Sequence, residues 1–228
     1  MPVPYYVSPE QLMQDKAEYA KKGIAKGRSI VVLEFDQGVL FVADNPSSSL
    51  NKISEIYDNI AFAGAGKYSE FENLRKAGIR HADLKGYMYS REDVTAKSLA
   101  NAYSQSLGTI FSQEVKPLEV EILVVAISEG DGASEIYRID FDGSISDEKG
   151  FTVIGGKAEE IKNDLKSKVS SDLTIKKAFN LALESLESID QQKLNIQGIE
   201  VALLDRKRSG RKFRRLSTEE IKKFSKEK

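Results

Sequence analysis

"RSIVVLEFDQGVLFVADN", Arg28 to Asn45, is the stretch whose reading decides the fold. Two runs of apolar β-formers, Ile30–Leu33 and Val39–Val42, flank the turn Phe35-Asp36-Gln37-Gly38, so the stretch reads as a tight β-hairpin. An acid, Asp44, closes the second run. Arg28 stands at the head, and twenty-seven residues precede it.

Upstream, "SPEQLMQDKAEYAKKG" carries helix-start signals. Ser8 can cap, Pro9 occupies the first helical position and Gln11 completes an S-x-x-Q capping box, so a helix is expected over 9–23 with Gly23 as its stop. Its apolar stripe of Leu12, Met13, Ala17, Ala20 and Ile24 is loose, and such a helix needs a partner surface. The segment ahead of it, Met1–Val7, holds two prolines and two tyrosines and reads as an irregular arm.

Downstream, "KISEIYDNIAFAGAG" supplies further strands. Two consecutive helices follow. One lies in "KYSEFENLRKAGIRHADLKG" and the other, capped by Ser90, in "SREDVTAKSLANAYSQSLGTIFSQ", with a link at Gly86–Ser90. Strands resume in "EVEILVVAIS", "EIYRIDFDGSI" and "FTVIGG". A second helix pair is expected at Lys157 to about Lys168 and from Ser171 and Asp172 to about Ser188. Strands "GIEVALLD" and "KFRRL" and a helix opened by the capping box Ser217–Glu220 close the chain. Hairpin-linked strands alternating with helix pairs exclude a βαβ order. They point instead to two stacked sheets between two helical layers, in one domain of 228 residues.

Composition removes several chemistries. There is no cysteine and a single histidine, His81, which excludes disulfides and thiolate metal sites and leaves no histidine pair for zinc or a triad. A formal net charge of −1 gives no general attraction to nucleic acid or anionic membrane. No run approaches a membrane span, and "MPVPYYVSPEQ" has neither a basic n-region nor an apolar h-region, so a cytoplasmic protein is expected.

The motif candidates fail on spacing. "GAGKYS", Gly64–Ser69, has Ala61 where a phosphate loop needs glycine and Tyr68 where it needs serine or threonine; "IGGKA" fails the same way at Phe151 and Ala158. "EGDGASE" lacks the ligand spacing of a calcium loop. No G-x-S-x-G elbow occurs. The basic stretch "DRKRSGRKFRR", Asp205–Arg215, reads as a solvated hairpin turn around Gly210. No metal and no cofactor is expected.

Over nearly its whole length the chain resembles proteasome α subunits of the actinobacterial kind. The likeness runs through "SPEQLMQDKAEYAKKGIAKGRS", "GVLFVADNPSSSLNKISEIYDNIAFAGAGKYSEFENLRKAGI", "LANAYSQSLGTIFSQEVKPLEVEI", "YRIDFDGSI" and "IEVALLD…FRRL". It implies the αββα sandwich of two antiparallel sheets found in amino-terminal-nucleophile hydrolases. It also implies a non-catalytic subunit, in homo-heptameric outer rings that cap inner β rings, with unfolded proteins as substrates in transit and activator ATPases as partners.

The resemblance places the hairpin head against the catalytic relatives. Those are cut after a glycine to free a threonine, and here Gly27 and Arg28 stand at the two positions. Their aspartate matches Asp44 and their lysine matches Lys52. Arginine stays protonated and is no nucleophile, so no catalytic residue is expected. The alternative is a self-processed threonine or serine peptidase using Ser29, which shifts the register against Asp44 by one residue and discards the first helix.

In the family the lysine matching Lys52 lines a pocket that receives the C-terminal tails of activators, where an ammonium pairs with the terminal carboxylate. A proline and a tyrosine around the first helix take part in gating, and Pro9, Glu18 and Tyr19 match, with one more residue between Pro9 and Tyr19 than in archaeal relatives. The arm Pro2, Val3, Pro4, Tyr5, Tyr6 and Val7 matches the gate itself, without the archaeal Tyr-Asp pair. Ser112, Gln113, Glu114 and Val115 match the loop that narrows the axial channel.

Overall fold

The computed structural model describes residues 8–128, 132–170, 172–190 and 193–225. The arm at residues 1–7 and Ser171 lie outside them. The opening hairpin forms as β1, Ile30–Phe35, and β2, Gly38–Asp44, with Val31 opposite Val42 and Phe35 opposite Gly38.

Every residue of β2 is buried, and all of β1 but Glu34, so both faces of the hairpin are covered. The two-residue side-chain period divides it cleanly. Ile30, Val32, Val39, Phe41 and Ala43 face a second sheet, while Val31, Leu33, Phe35, Leu40 and Val42 face helices.

The first sheet continues with β8, Phe151–Ile154, β9, Ile199–Asp205, and β10, Phe213–Arg215, in the order β10-β9-β2-β1-β8. The second is a meander of β3, Ile53–Tyr57, β4, Ile60–Gly66, β5, Val120–Ala126, β6, Glu135–Ile139, and β7, Ile145–Glu148. Each pairing is antiparallel. Between the sheets, Ala61, Ala63, Ala65, Leu123 and Val125 meet the inner face of the hairpin, and the small alanines let the layers approach.

Two helical layers close the outer faces. Helices α2, Tyr68–Met88, and α3, Ala96–Gln113, bury Phe71, Leu74, Leu99, Tyr103 and Leu107 against Phe62 and Val124 of the second sheet. Helices α4, Ala158–Lys166, α5, Ile175–Asp190, and α6, Thr218–Ser225, cover the first, with Ile161, Leu165, Phe179 and Ile221 on Leu33, Leu40 and Leu203. This is the αββα sandwich expected from the sequence.

Helix α1, Pro9–Ala25, runs two residues past Gly23. A Cβ at Gly23 would meet the Glu119 carboxylate at 2.1 Å, so the glycine serves a close approach and not a helix stop. Gly86 likewise lies inside α2, where Tyr57 Oη would sit 2.4 Å from a Cβ. The interhelix link is therefore shorter on its left side than expected. Ser90 caps only the 3₁₀ turn Arg91–Asp93, and Thr95 caps α3 by accepting from the Ser98 N–H.

The start of α5 also moves, to Ile175, with the Thr174 hydroxyl accepting from the Lys177 N–H at 3.4 Å. The two capping boxes differ. Ser217 and Glu220 exchange both bonds. Ser8 accepts from the Gln11 N–H, but the Gln11 amide turns to Asp15 at 2.8 Å.

Candidate functional site

The hairpin head sits beside the C-terminal end of α1 and the turn between β8 and α4. Arg28 Nη1 donates to Asp44 Oδ2 at 2.6 Å; Asp44 is buried and Arg28 about half exposed. Lys52 Nζ donates to the Arg28 carbonyl at 2.7 Å. A cavity of about 280 Å³ opens here, with Gly27, Arg28, Ser29, Asp44 and Lys157 in its wall. The structure thus brings together the three positions that the sequence matched to a catalytic pattern.

Lys52 is placed by a buried carboxylate that sequence reading missed. Glu200 on β9 accepts from the Lys52 N–H at 2.8 Å, the Ile53 N–H at 3.1 Å and the Asn45 amide at 2.7 Å, and pairs with Arg215. Four donors on one buried carboxylate pin the loop between β2 and β3 to the sheet. Burial lowers the Lys52 pKa to about 8, against the pull of Asp44 and Glu200, with Arg28 adding to the fall.

The hairpin is headed by a guanidinium, which is no nucleophile and is itself spent on Asp44. Ser29 is buried, its hydroxyl accepting from the Lys157 N–H at 3.4 Å and its carbonyl from the Asp44 N–H at 3.3 Å. The chain ahead is held as well: the Gly27 N–H donates to Ile24 O at 2.8 Å and Gly27 O accepts from the Gly156 N–H at 2.9 Å.

The other expected site residues gather along α1. Pro9 is the first helical residue. Glu18 pairs with Lys22 at 3.5 Å on the exposed face. Tyr19 donates to Glu119 Oε1 at 3.3 Å, and Lys116 Nζ lies 5.6 Å from its ring centroid. Ser112, Gln113, Glu114 and Val115 are exposed, Val115 to 94%, but Ser112 and Gln113 close α3, so only Glu114 and Val115 of the expected loop residues lie past the helix.

The basic stretch is consumed by local pairs. Arg211 binds Glu55, Arg214 binds Glu220 and Arg208 donates to Phe213 O at 3.0 Å. The stretch forms the turn between the paired strands β9 and β10. His81 is exposed on α2, and no cluster of metal-binding side chains exists among the described residues. No helix is long and apolar enough to cross a membrane among them.

Comparison with known proteins agrees with this geometry. The family model "Proteasome subunit" matches residues 24–204. "Proteasome subunit alpha" of Thermomonospora curvata is 51% identical over 222 residues, spanning 97% of this chain and 96% of the relative. The namesakes of Xylanimonas cellulosilytica and Sanguibacter keddieii are 51% and 52% identical, spanning 95% of this chain and 93% and 87% of their own lengths.

The chain belongs to the proteasome subunit family. Within it the chain is of the non-catalytic alpha type, the type of these relatives that are half identical to it over nearly its whole length.

Proposed function

We propose that this chain assembles into heptameric outer rings on inner β rings, admits unfolded proteins to the interior and docks an activator ATPase, in the cytoplasm. We read it as a gating arm, residues 1–7, ahead of one domain, 8–228. Exposed Leu12 and Met13 on α1 support a contact between neighbouring copies, since none of the described residues covers them.

The observation that carries the docking reading is the hairpin-head cavity. Arg28 lines it and is fixed on Asp44, and Lys52 is held on the Arg28 carbonyl beside it. An ammonium held on a backbone carbonyl beside a cavity suits the terminal carboxylate of an inserted tail. The test is Lys52→Ala in a particle co-assembled with a threonine-headed β chain. Ring assembly by native mass spectrometry should be intact and stimulation by the activator lost. Unchanged stimulation refutes the docking role.

A further inference from the structure

One face of α1 holds both ends of the loop at 114–119 that joins α3 to β5. Lys16 is a buried lysine, 7% exposed, and its ammonium donates to Glu114 O at 2.7 Å and Phe111 O at 3.1 Å. Those carbonyls belong to the last turn of α3 and the residue that ends it, where helix carbonyls lack partners and the dipole favours a cation. The loop is thereby tied down at its start.

Tyr19, one turn further along the same helix face, holds the other end. Its hydroxyl meets Glu119 and its ring lies under Lys116. Lys116 pairs with Glu119 at 3.0 Å and with Glu70 at 2.8 Å, and Glu70 also accepts from the Glu119 N–H at 2.7 Å. Burial opposes the charge on Glu70, yet the bonds from Lys116, the Glu119 N–H and Lys67 outweigh it and hold its carboxyl below the usual range. This end of the loop is thus anchored on the first turn of α2.

We infer that Lys16 and Tyr19 form a two-point clamp that positions the loop at 114–119, which follows α3, and that the clamp sets how large a chain the loop lets pass. The inference rests on the reading that this loop faces the substrate passage. It gives Tyr19 a definite partner, Glu119, and assigns a role to Lys16, which the family resemblance did not single out. Both are positioning residues, because they act through the loop.

The test uses full-length chain co-assembled with β subunits, with assembly checked by native mass spectrometry. Lys16→Met keeps the aliphatic stem and removes both bonds. Amide exchange at Glu114, whose N–H donates to Ile110 O at 2.9 Å, should rise about tenfold, the equivalent of one charged hydrogen bond lost. Hydrolysis of unstructured β-casein relative to a short fluorogenic peptide should rise about threefold as the loop loosens, a fraction of the same bond.

Lys16→Arg should restore both readouts, which loss of general packing would not allow. Tyr19→Phe, at a half-exposed position that the fold tolerates, should shift both in the same direction and by less. Glu114→Arg separates the two layers of argument. If it changes the substrate ratio while Lys16→Met does not, the clamp is wrong. If neither changes the ratio, the loop does not face the passage; unchanged exchange at Glu114 in Lys16→Met then still overturns the clamp.

Discussion

Arg28 Nη1 lies 2.6 Å from Asp44 Oδ2, so the acid that closes the opening hairpin is engaged by a permanent cation from the hairpin's own head. The pair converts a position for chemistry into a position of fixed structure. Restoring the missing side chain should therefore not restore activity. In Arg28→Thr the residue is still mid-chain, with Gly27 bonded on both sides and α1 intact ahead of it. Intact-mass measurement should find the full-length chain and a peptidase assay of the α chain alone should find none. Self-cleavage between residues 27 and 28 would show that the backbone there is poised after all.

The Lys52 ammonium should impose an alkaline limit on activator stimulation. With its pKa lowered to about 8 by burial, the group loses its charge, and with it the pairing to a carboxylate, as pH rises through that value. Asp44 favours the charged form, so Asp44→Asn should move the midpoint to lower pH. A stimulation profile flat from pH 7 to 9 would contradict both. The same group has a stability signature. Between about 8 and the ordinary 10.5 the unfolded chain holds more protons, so Lys52 makes the fold more stable as pH climbs through that window. Lys52→Met should remove this slope from urea midpoints measured across it.

The fold was legible because its determinants are local. Apolar runs, turn residues and caps lie within a few positions of one another, and the order of strand groups and helix pairs leaves few architectures. Arg28 and Asp44 were legible too, through their place in the hairpin, and Lys52 through the family resemblance. What held them was not. Glu200 grips the Lys52 N–H across 148 residues of sequence, and no spacing rule reaches that far. Lys16 was hidden for another reason: one lysine among many on an amphipathic helix reads as solvated unless its spacing of four to Ala20 and Ile24 is weighed. Gly23 and Gly86 misled because a glycine that admits a distant side chain looks, in sequence, like one that ends a helix.

Glu121 should make the protein less stable as pH rises through the weakly acidic range. Burial lifts its pKa to about 7, opposed by Arg138 and the Gly155 N–H, with Asp140 adding to the rise. Between the ordinary 4.5 and about 7 the folded chain then holds more protons than the unfolded one, so this group's contribution to stability falls with increasing pH and is constant above that window. Glu121→Gln keeps an acceptor for the Gly155 N–H, now 2.9 Å away, and removes the titration. Urea midpoints from pH 4.5 to 7.5 should show a flatter profile for the variant. An unchanged slope would mean that Glu121 stays ionised throughout, held by Arg138 at 2.6 Å.

Two apolar positions should separate the stability of the chain from that of the ring. Phe41 is fully buried between the sheets, and Phe41→Ala should cost about 3–5 kcal/mol by leaving a cavity that the closely packed layers cannot fill. Leu12, 47% exposed on α1, contributes little to its own chain, and Leu12→Ser should shift unfolding by no more than about 0.5 kcal/mol. If α1 contacts a neighbouring copy, however, Leu12→Ser should weaken ring formation. Chemical denaturation of the isolated chain measures the first effect, and native mass spectrometry over a dilution series measures the second. A Leu12→Ser chain that is equally stable and assembles at the same concentration would place the subunit contact elsewhere, and the exposed stripe of α1 would then be ordinary surface.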